Sequence, residues 1–233
     1  MSNIADNIKR LREEIATAAV QAGRNPRDIK LMAVTKTQSP QAVNQAIAAG
    51  ITLLGENRAQ ELCARYDEYD KGPGVEIHFI GHLQTNKVKM VLGKASLVQS
   101  VGSLRLAKEI SKQGAAGGVI TDLLLEINIG EEQSKGGVPP SQAEQIVREI
   151  ALLPAVKLQG LMAIPPIWEE NGDGERFFAQ MQEILVDIRG KKIDNVSMEI
   201  LSMGMSDDFT AAIKHGSTLV RVGTAIFGKR HHV

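Results

Sequence analysis

Lys36 is a candidate for covalent chemistry, because this lysine directly follows the apolar run LMAVT of residues 31–35. Such a run is typical of a buried strand, which would bring the amine of Lys36 to the strand's end. A lysine in that place is usually a surface residue whose stem packs on the core. A desolvated amine beside other cations, however, has a lowered pKa and forms Schiff bases with carbonyl groups. The role of Lys36 therefore depends on which groups share its end of the fold.

Arg221 is a second unusual residue, since it lies inside the apolar run LVRVG of residues 219–223. A guanidinium inside such a run is costly to bury unless it is paired or faces a ligand. One interpretation is a salt bridge to a carboxylate, with Glu199 and Glu126 as candidate partners. The other is a hydrogen-bond donor aimed at a planar acceptor on a bound ligand. The residues alone leave both interpretations open.

Small residues and hydroxyls follow two apolar runs in the last part of the sequence. Ser202 and Gly204 lie in LSMGMS, and Gly223 and Thr224 lie in VRVGTAIFG. Glycine allows a ligand to approach the backbone closely, and exposed N–H groups at such turns bind anions. We therefore predict that these two turns form a phosphate-binding cup.

Eight short apolar segments, separated by helical patterns, must position these residues. The segments are mostly apolar rather than alternating, which is typical of parallel strands covered on both faces. Eight such units favour a closed (β/α)8 barrel, the TIM-like α/β fold, over an open sheet. The predicted strands are KLMAVTK (30–36), TLLGEN (52–57), EIHFIG (76–81), SLVQSV (96–101), TDLLLEINI (121–129), VKLQGLMAI (156–164), NVSMEIL (195–201) and TLVRVG (218–223).

An extra helix precedes the first strand, because apolar residues from Ile4 to Ala19 recur at spacings of three and four. Only a short tail follows the eighth strand. We therefore predict that the eighth barrel helix is missing or is replaced by this N-terminal helix. The sequence has no long linker and no low-complexity tract, so we predict one domain over residues 1–233.

The predicted barrel brings the candidate residues to one end of the molecule. In such barrels functional side chains come from the C-terminal ends of the strands, and phosphate binds near strands seven and eight. Lys36 ends strand one and Asn57 ends strand two, whereas Arg221 and the cup belong to strands seven and eight. Pyridoxal phosphate fits this set, because its aldehyde, phosphate and ring nitrogen match an amine, an anion cup and an inward guanidinium.

Five sequence blocks carry a resemblance to a known family. They are AVTKTQ (33–38), GENRAQEL (55–62), HFIGHLQTNK (78–87), GLMAI (160–164) and SMGMSDDFTAAIKHGSTLVRVGTAIFG (202–228). In combination they resemble the YggS-type pyridoxal-phosphate homeostasis proteins, and the resemblance covers essentially the whole chain. It implies a fold similar to the N-terminal barrel of alanine racemase.

The resemblance also implies a role for individual residues. By it, Lys36 carries pyridoxal phosphate as a Schiff base, Asn57 helps to hold the cofactor, and Arg221 faces the pyridine nitrogen. The residues that the resemblance assigns to the phosphate are Ser202, Gly223 and Thr224.

Two features argue against efficient catalysis. A racemase needs a second base opposite the lysine, which is a tyrosine in alanine racemase, and the two tyrosines here, Tyr66 and Tyr69, follow strand two away from the predicted mouth. An arginine at the pyridine nitrogen also disfavours the protonated ring, which weakens the cofactor as an electron sink. The resemblance agrees, since it implies a protein that holds pyridoxal phosphate and buffers or supplies it without robust turnover.

Three hypotheses stay open. The first is this homeostasis protein, with apoenzymes that depend on pyridoxal phosphate as candidate recipients. The second is an amino-acid racemase or related enzyme that uses the same cofactor, with His82 or a water as second base. The third is a Schiff-base aldolase that uses Lys36 directly, which would leave the inward Arg221 unexplained.

The composition limits the partners and the compartment. The chain has 27 Lys plus Arg and 27 Asp plus Glu, so its formal net charge of zero gives no reason to expect nucleic acid or a membrane surface. The lone Cys63 cannot form an internal disulfide, which fits a reducing cytosol. The charged start MSNIADNIKRLREE lacks the apolar core of a signal peptide. We predict a cytoplasmic protein, and a monomer, because no interface stripe is recognisable.

Other polar and aromatic residues receive structural interpretations. His82, just past strand three, and Lys135, in the loop EEQSKGGVPP, are each assigned a structural or solvated role ahead of a cofactor contact. Trp168 is predicted to lie in a loop or lid. His231 and His232 are too few to argue for a metal, so no metal site is predicted.

Overall fold

The structure is a computed structural model that describes residues 3–166 and 174–228 of the 233-residue chain. The predicted loop or lid around Trp168 and the pair His231 and His232 lie outside the described residues. No helix within the two described ranges combines the length and the hydropathy that crossing a bilayer requires.

Eight parallel strands close into a barrel in chain order, β1 to β8, which confirms the predicted fold. The ring closes between β1 and β8, where Met32 pairs with Arg221. The strands are β1 (Lys30–Val34), β2 (Leu53–Glu56), β3 (Glu76–Phe79), β4 (Leu97–Val101), β5 (Thr121–Glu126), β6 (Val156–Met162), β7 (Val196–Ser202) and β8 (Leu219–Val222).

Helices cover the outside of this barrel. Their starts follow local capping chemistry: the hydroxyl of Ser39 accepts from the N–H of Ala42 at 3.2 Å, with Pro40 as the first helical residue. The helices of the described residues are α1 (Ile4–Gln21), α2 (Pro40–Ala48), α3 (Ala59–Arg65), α4 (Val88–Val91), α5 (Leu104–Gly117), α6 (Ala143–Ala151), α7 (Glu175–Gly190), α8 (Phe209–Lys214) and α9 (Thr224–Phe227).

The N-terminal helix α1 takes the place of a full eighth helix. It packs against α8 and α9 on one side and against α2 on the other, so it covers the junction of β8 and β1. The amide of Asn7 on α1 donates to the carbonyl oxygen of Ile226 on α9 at 2.9 Å. The predicted replacement of the eighth helix is therefore correct, with the four-residue α9 as what remains after β8.

The core has an outer and an inner part. Outward side chains of the strands pack with the helices in one large apolar cluster. Two small apolar clusters lie inside the barrel instead, one around Met32, Leu53 and Leu219 and one around Leu97, Leu124 and Met162. Polar side chains also point inward, among them Gln99, Ser202 and Arg221, and they lead to the candidate site.

Candidate cofactor-binding site

Lys36 lies just beyond the C-terminal end of β1, in the turn that leads to α2, and it is half-buried. The N–H of Thr35 donates to the carbonyl oxygen of Gly55 at 3.0 Å, and its hydroxyl donates to Oε1 of Glu56 at 2.6 Å. On the other side, Thr37 has a φ of 65°, a left-handed conformation that β-branched residues rarely adopt. The turn that carries Lys36 is therefore tightly constrained.

Glu56, the last residue of β2, is a buried carboxylate that supports this turn. Its Oε1 accepts from the hydroxyl of Thr35 and, also at 2.6 Å, from the hydroxyl of Tyr69. Its Oε2 has no hydrogen-bond partner among the described residues. Burial and the hydrogen bond to Glu56 raise the pKa of Tyr69. The carboxylate thus ties the ends of β1 and β2 to the segment after α3.

Asn57 follows Glu56 and is half-buried at the end of β2. Its Oδ1 is buried and has no hydrogen-bond partner in the described part of the chain. Buried amide oxygens normally have a donor, so this atom fits a ligand that brings one. Gly81 packs directly on the backbone here, because a Cβ at Gly81 would lie 1.9 Å from the carbonyl oxygen of Asn57.

Arg221 points into the barrel and is only 4% exposed. Its Nη1 donates to the hydroxyl of Ser202 at 2.6 Å, and its Nη2 donates to the carbonyl oxygen of Ala163 at 2.8 Å. These bonds run to neutral oxygens rather than to Glu126 or Glu199, so neither candidate salt bridge is what holds the guanidinium. Burial lowers the pKa of Arg221, while the carboxylates of Asp208 and Glu126 oppose that shift.

Ser202, at the end of β7, is fully buried, and its hydroxyl donates to Oε1 of Gln99 at 2.6 Å. The single hydrogen of that hydroxyl is therefore engaged inside the barrel, and its oxygen already accepts from Arg221. The predicted contact between Ser202 and a phosphate stays a prediction. A phosphate contact that used this hydroxyl as the donor would require it to leave Gln99.

The two predicted cup turns lie next to each other. Gly204 follows β7 with a φ of 92°, and a Cβ there would lie 2.6 Å from the Cβ of Ala212, so the close packing of α8 requires glycine. The carbonyl oxygen of Gly204 accepts from the N–H of Arg221 at 3.0 Å, which joins the two turns. Gly223 ends β8 and Thr224 begins α9 with an exposed side chain. Their predicted phosphate contacts also stay predictions.

A cavity of about 670 Å³ opens beside β3, β4 and β5 at the same end of the barrel. Glu126, at the end of β5, and His82, just after β3, both line it. Burial raises the pKa of Glu126, and the neighbouring guanidinium of Arg221 opposes that shift. Lys135 lies in the neighbouring loop, where it forms an ion pair with Glu132 at 2.5 Å, in keeping with the predicted loop role.

The closed strand order brings most of the predicted residues to consecutive strands. Asn57 follows β2 and Lys36 follows β1, whereas Arg221 lies on β8 and Ser202 on β7. These strands adjoin in the order 2-1-8-7. Two supporting residues, Glu56 and Gln99, were not predicted from the sequence. The signal was present, since each is a polar residue inside a predicted apolar strand, in TLLGEN and in SLVQSV.

Comparison with known proteins gives a consistent family. The model of the family described as alanine racemase, N-terminal domain, matches residues 1–231. Pyridoxal phosphate homeostasis protein from Aquifex aeolicus is 39% identical over 230 residues, covering 99% of this chain and 100% of the relative. The protein of the same name from Escherichia coli K12 is 38% identical over 234 residues, covering 100% of this chain and 99% of the relative.

A solved structure extends the comparison to three dimensions. PipY of Synechococcus elongatus with pyridoxal phosphate bound has a TM-score of 0.83 and 29% sequence identity, covering 97% of this chain and 100% of that protein. The strand order, the full-length matches and the family model agree. The chain therefore belongs to the family of pyridoxal phosphate homeostasis proteins, which has the barrel of the alanine racemase N-terminal domain.

Proposed function

We propose that this protein binds pyridoxal phosphate covalently through Lys36 and maintains its supply by holding and releasing it. The observation that carries the proposal is the buried Oδ1 of Asn57, which has no hydrogen-bond partner among the described residues. Asn57 follows β2, which lies next to β1, the strand that precedes Lys36. The names of the full-length relatives and the cofactor bound to PipY support the same conclusion.

The residues present fit the cofactor group by group. Lys36 would supply the amine for covalent attachment and Arg221 a buried donor for the ring nitrogen. Asn57 would supply its Oδ1, which has no hydrogen-bond partner in the part of the chain that the structure describes. Gly223 and Thr224 supply a turn in which backbone can approach a phosphate closely. When bound, pyridoxal phosphate supplies an aldehyde carbon for the lysine and an aromatic ring that accepts electrons.

The site favours holding the cofactor over turning over amino acids. Tyr69 is buried outside the barrel with its hydroxyl donating to Glu56, and Tyr66 lies beside Lys71 and Lys94, so neither tyrosine offers a base at the mouth. Arg221 as donor would keep the pyridine nitrogen unprotonated and weaken the ring as an electron acceptor. We therefore propose a binding protein without efficient turnover, with pyridoxal-phosphate-dependent apoenzymes as recipients.

An amino-acid enzyme at the same site is the second candidate, because of the cavity of about 670 Å³ lined by His82 and Glu126. Its volume accommodates a small amino acid, although the residues that line it include none of those proposed to hold the cofactor. Incubation of the loaded protein with amino acids in deuterium oxide tests this function. Deuterium appearing at Cα at a useful rate would establish the enzyme and contradict the holding role.

The holding role is tested by spectroscopy and mass mapping. The purified protein is titrated with pyridoxal phosphate, reduced with borohydride and digested, and we expect a visible absorption band and a pyridoxyl group on the peptide that contains Lys36. Lys36→Ala should lose the reducible bond and keep the fold. Lys30→Ala is the matched control, since Lys30 is an exposed lysine at the other end of the same strand. A colourless protein that takes up no cofactor would refute the proposal.

Release is tested with a recipient. The loaded protein is mixed with a pyridoxal-phosphate-dependent apoenzyme, and recovery of the apoenzyme's activity is followed with and without a scavenger of free cofactor.

We further propose that the protein is a cytoplasmic monomer of one domain. Sedimentation and fractionation of its cells test these two points.

A further inference from the structure

A chain of hydrogen bonds crosses the inside of the barrel below the candidate site. Nη1 of Arg221 on β8 donates to the hydroxyl of Ser202 on β7 at 2.6 Å. That hydroxyl donates to Oε1 of Gln99 on β4 at 2.6 Å, and Nε2 of Gln99 lies 2.9 Å from Nδ1 of His78 on β3. This series of hydrogen bonds ends at Glu76, whose Oε2 lies 3.4 Å from Nε2 of His78.

The bond between Ser202 and Gln99 spans the barrel's interior. In the closed strand order, β5 and β6 stand between β4 and β7, so these two side chains meet across the lumen rather than along the wall. Arg221, Ser202, Gln99 and His78 are each at most 4% exposed. Water therefore cannot readily replace a missing member, and the loss of one leaves the others with unsatisfied polar atoms.

With the amide oxygen of Gln99 facing Ser202, the donors along this chain of hydrogen bonds take one consistent direction. A guanidinium has donors only, so Ser202 accepts from Arg221 and gives its own hydrogen to the amide oxygen of Gln99. The amide nitrogen of Gln99 then faces His78, whose Nδ1 must accept. His78 is therefore neutral with its hydrogen on Nε2, and burial, which lowers the pKa of His78, favours this form.

We propose that Gln99 and His78 are positioning residues for Arg221, which hold its guanidinium in place for the ring nitrogen of pyridoxal phosphate. Neither residue touches the cofactor; each acts through the next, because the oriented amide of Gln99 keeps the hydroxyl of Ser202 turned as an acceptor for Arg221. The proposal rests on the cofactor binding proposed above. It adds two residues from β3 and β4, on the far side of the barrel from β8.

The test interrupts the series of hydrogen bonds at two residues and restores it at one of them. Gln99→Leu and His78→Leu delete the amide and the ring, whereas His78→Asn keeps an acceptor oxygen close to the position of Nδ1. Leu97→Ala is the matched control, because Leu97 lies two residues before Gln99 on the same inward face and packs with apolar side chains. Each variant is titrated with pyridoxal phosphate, followed by the absorption spectrum, with thermal unfolding recorded alongside.

We expect Gln99→Leu and His78→Leu to bind pyridoxal phosphate up to about tenfold more weakly, because each variant leaves the hydroxyl of Ser202 free to turn away from Arg221. The absorption maximum of their bound cofactor should move, because the donor at the ring nitrogen is no longer fixed. His78→Asn should restore both properties. Leu97→Ala should lose stability and keep the wild-type absorption maximum. Wild-type affinity and spectrum in Gln99→Leu would overturn the proposal.

A measurement without the cofactor separates the two proposals. In the unloaded wild-type protein, the Nη protons of Arg221 should give resolved NMR signals, because the guanidinium is held and cannot rotate freely. In unloaded Gln99→Leu these signals should broaden or average, and in Leu97→Ala they should persist. If the wild type bound no cofactor while the signals behaved as expected, the proposed function alone would fail. Signals that were unchanged in Gln99→Leu would overturn the positioning role whatever the cofactor does.

Discussion

Tyr69→Phe tests whether the buried carboxylate of Glu56 stabilises the end of the barrel that carries Lys36. The substitution removes one hydroxyl, which donates to Oε1 of Glu56 at 2.6 Å, and leaves the ring to pack as before. Glu56 is fully buried, and Thr35 is the other donor to the same oxygen. The carboxylate would then have one donor where it had two.

The size of the effect follows from the charge and the burial. A hydrogen bond to a charged group contributes about 1.5–3 kcal/mol, more than a bond between neutral groups. For a chain of this length, each kcal/mol shifts Tm by about 2–4 °C, so we expect Tyr69→Phe to lower Tm by about 3–12 °C. The assay is thermal unfolding at neutral pH, followed by circular dichroism.

Tyr66→Phe is the control for this prediction. Tyr66 lies three residues earlier, and its ring stacks with the ammonium groups of Lys71 and Lys94, an interaction that phenylalanine retains. We expect that variant to keep nearly the wild-type Tm. If Tyr69→Phe were no less stable than Tyr66→Phe, the hydroxyl would contribute nothing and the argument from the buried carboxylate would be wrong.

The same tyrosine predicts a pH dependence. The pKa of Tyr69 is raised above its ordinary value of 10.0, so the folded protein keeps a proton that the unfolded chain loses near that pH. Stability should therefore be full below pH 10 and fall as the pH rises above it. Tyr69→Phe removes this contribution, so the variant should lose less stability than the wild type between pH 9 and 11, roughly the range around the ordinary tyrosine pKa.

Three further substitutions or conditions test other parts of the site. Arg221→Glu should protonate the pyridine nitrogen and shift the spectrum of the bound cofactor, and an unchanged spectrum would remove Arg221 from the ring. His78 has a lowered pKa, so its contribution to stability should be present above pH 6.5 and decline as the pH falls below that value. His78→Asn should abolish this part of the pH dependence of the unfolding free energy, which urea titrations at several pH values measure. Gly81→Ala should destabilise the protein by at least about 2 kcal/mol and weaken cofactor binding, because the new methyl group would displace the backbone of Asn57. Unfolding and cofactor binding equal to those of the wild type would show that the loop adapts.

The sequence predicted the barrel well because its pattern is strong at the level of elements. Each of the eight apolar segments became a strand, with ends displaced by a few residues at most. The first strand, for example, was predicted to reach Lys36 and ends at Val34, because Thr35 bonds to β2 and Thr37 turns the chain. Between β3 and β4 the helical cover is short, since only Val88–Val91 of the segment TNKVKMVLG (85–93) is α-helical.

Side-chain direction could not be predicted from the same pattern. Strands buried on both faces are apolar throughout, so the residues give no alternation to tell inward from outward. Register shifts add to this, for example between Val98 and Val101 where β4 pairs with β5. The inward placement of Gln99, and with it the bond that engages the hydroxyl of Ser202, therefore required the structure. The inward placement of Arg221 was easier to predict, because a charged residue inside an apolar strand stands out in any register.

Two buried polar groups of opposite charge hold the candidate site from different sides. Glu56, between the barrel and its helices, fixes the ends of β1 and β2, where Lys36 and Asn57 lie. Arg221, inside the barrel, is fixed through β7, β4 and β3. Groups held in this way are arranged before a ligand arrives, which lowers the entropic cost of binding. Groups arranged in advance in this way are what the proposed role in holding pyridoxal phosphate requires.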